Sequence, residues 1–127
     1  MIRFTIHGNP RTKKNSQVVV NHIPLPSKSY REYEKETADL WKYEAAVLRK
    51  PVNYPVNVKC VYYMETRRKV DLTNLLECSD DLMVKYGILA DDNSSIVVGH
   101  DGSRVQYDKA SPRVEITITR IEGWVIE

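Results

Sequence analysis

The run Asp71-Leu72-Thr73-Asn74-Leu75-Leu76-Glu77-Cys78-Ser79-Asp80-Asp81-Leu82-Met83-Val84-Lys85-Tyr86-Gly87 reads as one amphipathic helix. Leu72, Leu75, Leu76, Leu82, Met83 and Tyr86 form its apolar stripe, at the three- and four-residue steps that face a core. Asp71 to Thr73 marks the start, and Gly87 is the residue type that ends helices in a left-handed cap. At about 100° per residue, Asn74, Glu77 and Asp81 fall close to one line on a different side, with Asp71 at its N-terminal end.

Strand patterns flank this helix. Val56, Val58, Cys60 and Tyr62 alternate with other residues upstream and run into the basic cluster Arg67-Arg68-Lys69. Downstream, Ser95 to His100 and Ser103 to Tyr107 flank Asp101-Gly102, a hairpin signal. Val114, Ile116 and Ile118 give a last strand, and Ile2, Phe4 and Ile6 a first one. After Gly8-Asn9-Pro10, the residues Arg11, Lys13 and Lys14 make an exposed basic loop ending at Asn15-Ser16. Gln17 to His22 holds the β-branched run Val18-Val19-Val20, a further strand ended by Pro24 and Pro26. Ser29-Tyr30-Arg31-Glu32 has the form of a capping box and opens a helix that Pro51 stops after Arg49 or Lys50. The expected architecture is α+β: one small domain over 1–127, a mixed β-sheet with two main helices packed on it, and a late β-hairpin.

The 127 residues are 42% hydrophobic and 28% charged, the balance of a folded chain long enough to bury a core. No apolar run approaches the roughly 20 residues of a membrane span, and no secretory signal is visible. Cys60 and Cys78 are too few for a disulfide framework and lack zinc spacing, so they read as buried small hydrophobes in a reduced, cytoplasmic setting. The net charge of +2 permits a nucleic-acid partner without demanding one. His7, His22 and His100 share no ligand-like spacing and read as structural or surface residues. Tyr30, Trp41 and Tyr43 read as helix core or a dimer face.

The chemistry concentrates between Arg67 and Asn93. Asp71, Asn74, Glu77, Asp80 and Asp81 lie along the helix, and Gly87-Ile88-Leu89-Ala90 can fold Asp91 and Asp92 back toward it. Converging carboxylates without His or Cys partners suit a hard divalent cation, which can polarise a phosphodiester and activate water. Arg67, Arg68 and Lys69 beside them can neutralise flanking phosphates. The competing reading is a solvated helix face, with Asp71 favoured by the helix dipole alone and Asp91-Asp92-Asn93 as a turn.

Val70-Asp71-Leu72-Thr73-Asn74-Leu75-Leu76, then Asp81-Leu82, then Gly87-Ile88-Leu89-Ala90-Asp91-Asp92, resemble in order the core of the RusA-like Holliday-junction resolvases. His7-Gly8-Asn9-Pro10 with Lys13-Lys14-Asn15-Ser16 resembles that family's first strand and basic loop, and the similarity extends to about Thr119. The resemblance implies a homodimeric endonuclease of phage or prophage type, using Mg²⁺ or Mn²⁺ to place paired nicks across a four-way DNA junction. It implies catalytic roles for Asp71, Asp91 and Asp92, with Asp71 and Asp92 as metal ligands. Asn74 and Asp81 support them, and Lys13, Lys14, Arg67, Arg68 and Lys69 contact DNA.

Two residues depart from the family pattern. Thr73 stands where a second aspartate is usual, and Glu77 stands where a lysine is usual. Glu77 lies four residues after Thr73 on the same helix side, so it is expected to replace the lost metal ligand and to join the catalytic set. The missing lysine's role then falls to Lys69, Lys85 or a basic-loop residue. The alternatives are a junction-binding module that has lost catalysis, and a nuclease for flaps, forks or RNA.

Overall fold

The computed structural model describes residues 1–13, 18–20, 23–25 and 27–123. The chain runs β1 (Ile2–His7), β2 (Val18–Val20), β3 (Ile23–Leu25), α1 (Lys28–Leu48), β4 (Val56–Met64), α2 (Leu72–Lys85), β5 (Val97–Gly99), β6 (Arg104–Tyr107) and β7 (Arg113–Arg120). The main sheet has the order β1-β7-β4, with β5 and β6 both on the outer edge of β4. The β1–β7 and β4–β7 pairs are antiparallel, while β5 and β6 pair with β4 in parallel. The architecture is α+β with a mixed sheet, as the periodicities predict.

Alternation along the strands sorts the sheet into two faces. Register places Phe4 opposite Ile116 and Ile116 opposite Cys60; Ile6, Val114 and Tyr62 form the next such row. All six are buried, and both helices pack on this side. Trp41 of α1 meets Phe4 edge-on with ring centroids 6.2 Å apart, and Ser79 of α2 takes a 2.9 Å hydrogen bond from Tyr62. Fully buried aliphatics such as Ile6, Leu75, Ile116 and Ile118 contribute about 1.5–3 kcal/mol each. Cys60 and Cys78 are free and buried, and burial pushes the Cys60 thiol up to about 12.

The expected late hairpin is not formed. Gly102 does turn, with φ +88°, but β5 and β6 run the same way along one edge of β4. Val97 and Gly99 pair with Val56 and Asn57, and Arg104–Tyr107 pair with Val61–Met64. Side chains satisfy the β4 backbone between the two pairings: Ser103 Oγ accepts from Cys60 N at 3.0 Å, and His100 Nδ1 donates to Val58 O at 2.8 Å. The Asp101-Gly102 turn is therefore a jog in one interrupted edge.

Other boundaries shift for local reasons. The N-cap of α1 is Ser27 rather than Ser29, because Ser27 Oγ accepts from Tyr30 N and donates to Thr12 O. Pro24 sits inside β3, opposite Val19. Both strands of that two-stranded ribbon are edges, where a missing N–H is tolerated. Helix α2 begins after Asp71, and Gly87 adopts φ +88°, as the sequence predicts. Trp41 and Tyr30 are core residues, whereas Tyr43 is exposed; His22 lies outside the described residues. No helix among the described residues is long and apolar enough to cross a membrane.

Candidate metal and nucleic-acid site

Asp71 caps α2. Its Oδ1 accepts from Thr73 N at 3.1 Å and from Thr73 Oγ1 at 2.7 Å. The threonine that replaces an expected aspartate thus spends its hydroxyl on its neighbour's carboxylate. Two segments far apart in sequence meet beside this helix start. Arg11, Thr12, Arg68, Lys69 and Val70 line one cavity of about 230 Å³. Reciprocal hydrogen bonds between Asn9 and Glu65 clamp its two walls, from Asn9 Nδ2 to Glu65 Oε2 at 3.3 Å and from Glu65 N to Asn9 Oδ1 at 3.0 Å. The basic groups lie close to the helix N-terminus, so phosphate would meet both fixed cations and the positive end of the helix dipole. Arg67 stacks over the Tyr107 ring at 4.1 Å, at the edge of the same region.

The basic loop also reaches the acidic line. Lys13 Nζ meets Asp81 Oδ2 at 2.6 Å, and Lys13 N donates to Cys78 Sγ at 3.3 Å. Lys14 lies outside the described residues.

The segment after Gly87 folds back along α2. Ile88 N and Leu89 N both donate to Met83 O, and Leu89 bridges to Val52. Asp91 and Asp92 follow on the surface; Asp91 Oδ1 accepts from Asp92 N at 2.7 Å. Desolvation, then the Asp91 side chain, then the Asp81 charge push the Asp92 carboxyl up from its ordinary value. Asp80 is raised by burial first, with the His100 hydrogen bond opposing and Asp92 and Asp81 adding repulsion. The Asp81 and Asp91 charges are thus both felt at Asp92, an acidic patch defined by repulsion rather than by direct contact. Asp71 lies ten positions before Asp81, about 15 Å along the helix axis. Glu77 and Asn74 stand between them on the same line, Glu77 exposed and Asn74 half-buried.

Among the described residues, no three His, Cys, Asp or Glu side chains form a ready-made metal cage. The donor chemistry of the patch still fits one class of ion. Adjacent carboxylates that repel one another, with no sulfur or imidazole among them, suit Mg²⁺. That ion commonly takes one or two carboxylates and fills its remaining positions with water and substrate phosphate.

The Asp80–His100 pair is absent from the sequence reading. Asp80 is 7% exposed, and its Oδ2 lies 2.9 Å from His100 Nε2, while its Oδ1 has no partner. One signal was available: Asp80 falls four residues after Leu76 and three before Met83, a carboxylate inside the apolar stripe. Nothing local marked His100 as its partner.

A comparison with curated proteins finds no significant match. The family model for the endodeoxyribonuclease RusA matches residues 4–119, covering both helices and all strands but the first two residues of β1 and the last of β7. With that match over nearly the whole chain, this protein belongs to the RusA family of endodeoxyribonucleases, enzymes that act on Holliday-junction DNA.

Proposed function

We propose that this chain is a homodimeric, Mg²⁺- or Mn²⁺-dependent endonuclease that resolves four-way DNA junctions by paired symmetric nicks, in the reducing cytoplasm of a cell carrying a phage or prophage. One observation carries the reading: the basic cavity at Arg11, Arg68 and Lys69 and the acidic patch at Asp81, Asp91 and Asp92 flank a single helix, with Lys13 joining the two. Asp71 and Asp92 are the ligands assigned from the family motif and Glu77 the one replacing its missing aspartate, with Asp91 orienting the attacking water or adding a ligand. These carboxylates do not converge on one point among the described residues, so water and substrate phosphate would have to complete the ion's shell. A bound divalent cation would polarise the phosphodiester and supply activated water. Arg68 and Lys69 hold the strand at its phosphates, while Asn74 and Asp81 line the helix face beside the ligands, Asp81 anchoring Lys13 of the basic loop. Two identical sites related by a two-fold axis match the two equivalent strands of a near-symmetric junction.

A second reading, a junction-binding module without cleavage, is favoured by one feature: Asp71 Oδ1 is taken up by Thr73. One experiment separates the two. An end-labelled four-way junction is incubated with Mg²⁺ or Mn²⁺, with EDTA, a linear duplex and Asp71→Asn as controls. Paired nicks on the junction alone, lost in EDTA and in Asp71→Asn, support the resolvase. Structure-selective binding without cleavage in either metal overturns it in favour of the binding module.

A further inference from the structure

The helices cover one face of the main sheet, and register defines what the other presents. Arg3, Thr117 and Lys59 form one row across β1, β7 and β4. Thr5, Glu115, Val61 and Arg104 form the next, extended onto β6. Polar residues on a solvated sheet face are ordinary. The charge here is one-sided, however. Glu115 is the acidic member of these two rows, and Arg113 Nε already donates to it at 2.9 Å. Among the described residues, Arg3, Lys59 and Arg104 take part in no ion pair. Lys59 is also pre-positioned: its stem lies across the backbone of Gly102, where an added Cβ would meet Lys59 Cδ at 3.1 Å.

The exposed β6 edge connects these cations to the basic cavity, Tyr107 falling on the helix-covered face and Arg104 on the open one. Met64 lines that cavity beside Arg68 and Lys69 and pairs with Tyr107, which carries the Arg67 guanidinium on its ring. From Tyr107 the β6 edge leads to Arg104, about 10 Å away at strand rise. One diagonal step of about 8 Å reaches Lys59, and two strand spacings, about 10 Å, reach Arg3.

We propose that this basic track, running from the Arg68–Lys69 cavity round the β6 edge through Arg67 and Arg104 to Lys59 and Arg3, binds the phosphodiester backbone of a duplex DNA arm outside the reacting centre. The inference rests on the proposed junction-cleaving function and extends it to the arms. The sign of the charge, the absence of ion pairs for three cations and the continuity with the cavity all favour a polyanion. A second copy of the chain on this face would bring the same cations together across a two-fold axis. From Tyr107 to Arg3 the track spans about 22 Å end to end, roughly six base pairs at 3.4 Å per phosphate along one strand.

The test compares the wild-type chain with the triple variant Arg3→Gln, Lys59→Gln, Arg104→Gln and with Arg104→Gln alone. Hairpin-capped junctions with arms of about 4 base pairs, shorter than the track, and of about 25 base pairs are titrated by fluorescence anisotropy in EDTA across a salt series. The wild type should bind the long-armed junction more tightly. The triple variant should lose that advantage, by about tenfold or more, and its log K against log salt slope should fall by about 2 to 3. Arg104→Gln, at an exposed edge position that carries no fold, should lose about one unit of slope. Unchanged long-arm affinity and slope in a folded variant overturn the track, as does a change of oligomeric state, which would make the face a protein interface. A wild type that binds short-armed junctions without a long-arm advantage overturns the track alone. A wild type that binds neither junction overturns the proposed function with it.

Discussion

Lys13 and Asp81, separated by 68 residues, meet at 2.6 Å and tie the basic loop to the acidic face of α2. Each side chain is about a third exposed, at 32% and 35%, so the pair contributes under about 1 kcal/mol to stability. Its consequence is for binding, because Lys13 is divided between Asp81 and any phosphate. Asp81→Asn should raise junction affinity in EDTA and change the unfolding free energy by less than about 1 kcal/mol. Lys13→Ala should lower the affinity. Anisotropy titrations of both variants check this, and equal affinities would mean that Lys13 does not face DNA.

Glu77 and Asp92 test the ligand assignment. Asp92→Asn and Glu77→Gln should each reduce metal-dependent cleavage by about 100-fold or more while junction binding in EDTA persists. Single-turnover rates in Mg²⁺ measure it. If Glu77→Gln cleaves like the wild type, the replacement of the missing aspartate by Glu77 is wrong. Thr73→Asp is the companion variant. It restores the usual residue and should raise the rate if Thr73 is the limiting departure.

The Asp80–His100 pair makes a prediction about stability. Removing His100 leaves a buried carboxylate without its partner, so His100→Gln should cost about 3 kcal/mol in urea unfolding. Burial lowers the His100 pKa, but the Asp80 hydrogen bond and charge outweigh it and hold the value above the usual 6.5. The folded chain thus binds this proton more tightly than the unfolded chain. That stabilisation is complete below 6.5 and is lost as pH rises through the raised folded value. The upward shift of Asp80 acts in the same sense. The wild-type advantage over His100→Gln should therefore narrow as the buffer is taken from below pH 6.5 to alkaline values. A gap that stays constant across that range would show that the pair does not titrate there.

Arg49 ends α1 with φ 76° and ψ −40°, a conformation that a Cβ disfavours, while its N–H still bonds Ala45 O at 3.0 Å. Glycine adopts positive φ without that penalty, so Arg49→Gly should stabilise the fold by about 1 kcal/mol. Thermal melts read it directly, and a lowered midpoint would show that the arginine side chain makes up for its backbone.

Local physics explains what was legible in the sequence. The stripe Leu75–Leu82–Met83 and the cap Gly87 announce α2 because helix periodicity and a left-handed cap depend on neighbours within a few residues. The alternation Val114–Ile116–Ile118 announces β7 for the same reason. The acidic line on α2 and the basic runs at Arg11–Lys13 and Arg67–Lys69 were likewise visible, since charge and spacing are properties of the chain itself.

What the chain could not show locally is which distant groups meet. Asp101-Gly102 is a turn in either case; whether it closes a hairpin or only offsets one edge depends on β4, which offers hydrogen-bonding groups to both flanks. Asp80 finds His100, Lys13 finds Asp81, and Arg3 lines up with Lys59 only once strand register and helix docking are set. The helices and most of the strands were legible in the chain because short-range sterics and periodicity specify them, and the family motif because its residues recur in order. The edge topology, the Asp80–His100 pair and the alignment of Arg3 with Lys59 came only with the folded chain. Those depend on burial and on register across strands more than fifty residues apart, such as Arg3 and Lys59.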